Sequence, residues 1–87
     1  MHAVAIDVTF THQAQSEAAE VGLVSQVSGL PGFVSGYWVA LPGNRGISTT
    51  VFDSGEAAQG FARFVQSHTA DGVALDRVEV GRVLAHA

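Results

Sequence analysis

Eighty-seven residues make room for one hydrophobic core, so a single domain spanning 1–87 is expected. Hydrophobic residues reach 47% while charged residues reach only 14%, against about 25% in an ordinary soluble domain, which excludes a disordered chain and a solvated coiled coil. The net charge is −4, the four cations (Arg45, Arg63, Arg77, Arg82) are scattered and cysteine is absent, which argues against a nucleic-acid footprint, a polybasic membrane patch, disulfides and thiolate chemistry.

So little charge leaves part of the surface to be covered by another subunit, and a homodimer is expected. The start, Met1-His2-Ala3-Val4, has no basic region ahead of an apolar run, so no signal peptide is read and a cytoplasmic location is expected. Val21 to Asn44 carries no charge, but glycines, serines and Leu30-Pro31-Gly32-Phe33 interrupt it. It reads as a helix end and a buried strand, not a membrane span.

In chain order, residues 4–10 alternate: Val4, Ile6, Val8 and Phe10 on one side, Ala5, Asp7 and Thr9 on the other. That period of two predicts a strand. Residues 12–29 predict a helix with Ala19, Leu23, Val24, Val27 and Leu30 on one arc, Gly29 at its end and Pro31 as its stop. His12, Ser16 and Glu20 form a polar ladder along its side, which reads as a solvated edge.

Residues 33–41 predict a strand that is apolar on both faces, with Phe33, Tyr37, Val39 and Leu41 on one and Val34, Trp38 and Ala40 on the other. Two-sided apolar character implies burial on both sides. A turn over Pro42 to Gly46 leads into a β-rich stretch from Ile47 to Phe52, completing a hairpin. Asp53-Ser54-Gly55-Glu56 reads as a capping box with Asp53 as the acceptor. The helix it opens runs to about His68, with Ala57, Ala58, Phe61, Ala62, Phe64 and Val65 on one face. Residues 73–85 predict a last strand, with Val78 and Val80 opposing Arg77 and Glu79.

The order is βαββαβ. Two helices cover one face of a four-stranded antiparallel sheet, and the second strand predicts a dry second face. The fold class expected is α+β, a ferredoxin-like unit pairing with a copy of itself into a dimeric α+β barrel.

Leu30-Pro31-Gly32-Phe33 before a hairpin strand, Val51-Phe52-Asp53-Ser54 at the end of the next, and Glu56-Ala57-Ala58 opening a helix resemble the antibiotic biosynthesis monooxygenase-like domains, over nearly the whole chain in element order. The resemblance implies a homodimer with a pocket between sheet and helices in each subunit. Members of that group include oxygenases that oxidise aromatic polyketides without metal or flavin; others degrade haem, and many have no known activity. The haem degraders place an asparagine on the first strand, a tryptophan at the end of the third and a histidine ligand on the second helix. Here Asp7, Phe52 and Ala62 stand at those places, so the resemblance does not carry haem degradation over, and no cofactor is expected.

His68 follows Phe61 and Phe64 at i+7 and i+4, and a histidine there can serve as acid or base near neutral pH. Equally, it can be a helix-terminal residue bonded to the last carbonyls. Asp7, the only charge within the first strand, is either a second base or the partner of an arginine on the neighbouring last strand. Trp38 and Tyr37 face opposite ways, so one at most lines a given pocket; with Phe61, Phe64 and Phe52 they are the candidates for holding a flat aromatic ligand or for packing a core. His2, His12, His68 and His86 show no ligand spacing, so no metal is expected.

Two functions follow. One is a cofactor-independent monooxygenase acting on a small aromatic or polyketide-like substrate, with His68 or Asp7 as base. The other is a small-molecule-binding or structural homodimer without catalysis. A void reaching His68 separates them.

Overall fold

The computed structural model describes residues 1–11, 22–68 and 72–87. The elements are β1 (His2–Phe10), a helix α1 whose described part is residues 22–28, β2 (Phe33–Leu41), β3 (Arg45–Phe52), α2 (Gly55–Ser67) and β4 (Val73–Arg82). The ladder of His12, Ser16 and Glu20, and the first half of the helix expected from residue 12, lie outside the described residues. The strands form one antiparallel sheet in the order β2-β3-β1-β4. This is the ferredoxin-like βαββαβ fold, with each helix carrying the chain across the sheet between strands that are not neighbours.

Strand alternation decides what the helices cover. Val4, Ile6, Val8 and Phe10 are buried on the helix side of β1, and Gly46, Ser48, Thr50 and Phe52 on the helix side of β3. Val27 of α1 and Ala58, Phe61 and Ala62 of α2 close over them. Phe52, 1% exposed, sits between Phe33 (ring centroids 6.1 Å, near-perpendicular) and Phe61 (5.4 Å). Such edge-on and tilted contacts suit the charge distribution of aromatic rings.

Two bulges interrupt the regular pairing. In β2, Phe33 pairs with Phe52 but Ser35 pairs with Val51, leaving Val34 as the extra residue. The side chains before and after it therefore keep different parity. This corrects the sequence expectation: Phe33 faces the helices, while Tyr37 and Val39 face away. In β4, Asp7 pairs with Arg77 but Val8 pairs with Leu75, leaving Asp76 extra. Thr9 Oγ1 donates to Asp76 Oδ2 at 2.6 Å. Val73, Leu75, Val78 and Val80 all reach the core as a result.

The hairpin between β2 and β3 turns through Gly43 and Asn44, with φ of 82° and 58°, a left-handed conformation that glycine and asparagine adopt at least cost. The cap of α2 is Ser54, not Asp53: Ser54 Oγ accepts from the Ala57 amide at 3.1 Å. The Asp53 N–H donates to Gly32 O at 2.8 Å, so the backbone stays extended one residue longer before the helix starts. Glu56 lies in the first turn, where a carboxylate suits the helix dipole.

Candidate functional site

A cleft of about 300 Å³ opens between the sheet and the helices. Its floor is the helix side of the sheet: Ile6 and Val8 of β1, Trp38 of β2, Ser48 of β3, and Val73 and Leu75 of β4. One wall comes from α1 and the turn after it, through Leu23, Gln26, Val27 and Leu30. The other comes from α2, whose Phe61, Phe64, Val65 and His68 recur at i, i+3, i+4 and i+7 and so form one stripe down the helix.

Trp38 lies low on this floor because Gly36, two residues earlier on the same face, has no side chain. A Cβ at position 36 would stand 2.8 Å from Trp38 Cη2 and 3.0 Å from Cζ3. The indole therefore occupies the space a larger residue at 36 would take.

His68 closes α2. Its backbone is already extended (φ −133°, ψ 102°), and its N–H donates to Phe64 O at 2.9 Å. Its ring stacks on Phe64 with centroids 4.6 Å apart and planes 17° off parallel. Ring Nδ1 lies 3.1 Å from the same Phe64 carbonyl oxygen. A carbonyl only accepts, so in this bond Nδ1 donates. The residue is exposed at the rim of the cleft rather than buried within it. Both sequence readings of His68 thus meet: it is a helix-terminal histidine bonded to a last-turn carbonyl, and it lines the void.

His68, Trp38, Phe61 and Phe64 are brought together. Asp7, Tyr37 and Phe52 are not part of that cleft. Asp7 points to the opposite face of the sheet, where its Oδ2 meets Arg77 Nε at 3.1 Å and Glu79 lies 4.0 Å from the same guanidinium. Tyr37 is 74% exposed on that face. Phe52 is core, backing a separate, more open groove of about 640 Å³ beside Asp53, Glu56 and Arg63. None of Asp7, Phe52 and Ala62 lines the cleft. Among the described residues no cluster of three or more potential metal ligands occurs, and no helix is long and apolar enough to cross a membrane.

Ser48 escaped the sequence reading, which took 47–52 only as β-rich. The available signal was alternation: Ser48 and Thr50 share the core-facing parity of Phe52, so β3 turns two hydroxyls inward. Thr50 Oγ1 is buried without a hydrogen-bond partner among the described residues.

No family model matches the chain, and no curated protein matches it. Solved structures do. A candidate antibiotic biosynthesis monooxygenase from Chloroflexus aurantiacus superposes with a TM-score of 0.63 at 22% identity, covering 100% of this chain and 98% of that one. The chain has the fold of the antibiotic biosynthesis monooxygenase-like domains. The haem degrader MhuD of Mycobacterium tuberculosis, solved with two haems in its active site, gives 0.60 at 18% identity over 98% of each chain. A dimeric ferredoxin-like protein from an uncultured marine organism gives 0.62 at 14% identity, over 100% of this chain and 98% of that one.

Proposed function

We propose that this chain is a single-domain, homodimeric, cytoplasmic protein that binds a small flat aromatic or polyketide-like molecule in each cleft and oxidises it with dioxygen, using neither metal nor organic cofactor. The observation that carries the reading is the void itself, which reaches His68; in the neutral ring, with Nδ1 donating to the Phe64 carbonyl, Nε2 is the acceptor. The apolar walls displace water from the ligand, and Trp38 and Phe61 offer aromatic faces for stacking. In the proposed reaction His68 Nε2 takes one proton from an acidic ring CH₂. The carbanion passes its electrons to dioxygen and a carbon–oxygen bond forms. Loss of water then leaves a carbonyl, with one oxygen atom on the carbon and the other in the water, which also carries away the two CH₂ hydrogens. The Phe64 carbonyl steadies the imidazolium through Nδ1–H, much as an orienting acceptor does for other catalytic histidines.

The proposed dimer rests on the other face of the sheet, where Tyr37 and Val39 are exposed among the described residues. The dimeric ferredoxin-like neighbour is consistent with a second copy covering it. The rival reading is a dimer that binds ligand without chemistry. It is favoured by the separation of Asp7 from the cleft, which leaves His68 without a second acid or base among the described lining residues.

Oxygen uptake with anthrone, a flat ketone bearing an acidic CH₂, distinguishes the two. Uptake above the buffer rate should fall on the order of a hundredfold in His68→Ala, the usual contribution of a general base. Anthrone bound without added oxygen uptake leaves the binding protein.

A further inference from the structure

The cleft has three polar side chains among its described lining residues: Gln26, His68 and Ser48. Gln26 and His68 are exposed at the rim. Ser48 is 6% exposed and sits on the floor, and its hydroxyl has no hydrogen-bond partner among the described residues. In the sheet it lies directly between Trp38 of β2 and Ile6 of β1. Side chains opposed in this way stand about 5 Å apart at Cβ. Ser48 lines the cleft. Unlike Thr50 Oγ1, the Ser48 oxygen is not sealed off from solvent, so a ligand that displaces water from the cleft must replace the hydrogen bond that water gives this hydroxyl.

We infer that Ser48 is the anchoring residue of this cleft: its O–H donates to a ring ketone or phenolic oxygen of a flat aromatic ligand lying against Trp38. The inference rests on the proposed binding function and adds to it a ligand class and an orientation. The oxygen-bearing edge of the ligand goes down to the sheet, and another edge is turned to His68 on the helix side. A plain hydrocarbon of the same shape satisfies the walls but leaves Ser48 without its bond. During proton removal the same O–H would meet the charge that develops on the ketone oxygen, where a fixed donor has most effect.

Fluorenone and fluorene test this. They share a flat tricyclic frame, differ in the ketone, and fluorenone has no proton for a base to remove, so binding is read apart from chemistry. Dissociation constants come from quenching of Trp38, the chain's one tryptophan. The wild-type protein should prefer fluorenone by several-fold to about tenfold, the usual effect of one hydrogen bond. Ser48→Ala should lose that preference while holding fluorene at least as well, and Ser48→Thr, which keeps the hydroxyl, should retain it. A preference unchanged in Ser48→Ala overturns the anchor and leaves the binding reading standing. Failure of both probes to bind the folded wild-type protein overturns both.

Discussion

The two faces of the sheet solve different problems with neighbouring residues. On the helix side, Ile6, Trp38 and Phe52 enter an interior from which the cleft opens. On the other side, one residue along in each strand, Asp7 pairs with Arg77 and Tyr37 stands open. The same strands therefore supply both a ligand chamber and an outer surface, and a single step in parity separates the two duties. The outer surface is itself divided. Its β2–β3 half sets Tyr37, Val39 and Ile47 beside Thr49, with Arg45 at one end, whereas its β1–β4 half carries the ion-paired Asp7, Arg77 and Glu79.

The contrast can be broken most severely from the helix side. Phe52→Ala removes a ring packed between two others and should cost about 3–5 kcal/mol in stability; urea unfolding followed by circular dichroism measures it. Tyr37→Asp acts on the other face. It should leave the fold of the protomer intact and weaken the proposed dimer by about 2 kcal/mol or more, since a carboxylate would be carried into an apolar contact. Light scattering behind a sizing column should move from twice the chain mass of 9.0 kDa towards that mass itself; an unchanged dimer would place the interface elsewhere. Asp7→Ala should do least. Its ion pair is open to solvent, so a change below about 1 kcal/mol is expected. Oxygen uptake with anthrone should be unaltered, and a large loss would restore Asp7 as a base.

What could be read in advance follows from how local each cause is. The period of two in Val4 to Phe10 and the stripe of Phe61, Phe64, Val65 and His68 are properties of single elements, and both elements form as their patterns indicate. The bulge at Val34 is different. It depends on how β2 pairs with β3, and Phe33 was accordingly placed on the wrong face. The choice of Ser54 over Asp53 as cap turns on a bond from Asp53 to Gly32, some twenty residues back in the chain. Ser48 is a small polar residue in a β-rich run, and it becomes a cleft residue only through the five other elements that build the cleft around it.

The positions of the two bulges have a consequence for self-assembly. In the order β2-β3-β1-β4 the outer strands are β2 and β4, and these are the strands that carry the extra residues Val34 and Asp76. A bulge bends and twists the strand that holds it, and a bent border offers a poor template for an incoming strand. Ribbon-like growth by strand addition is thereby discouraged at both margins of a chain with unusually little charge to keep copies apart.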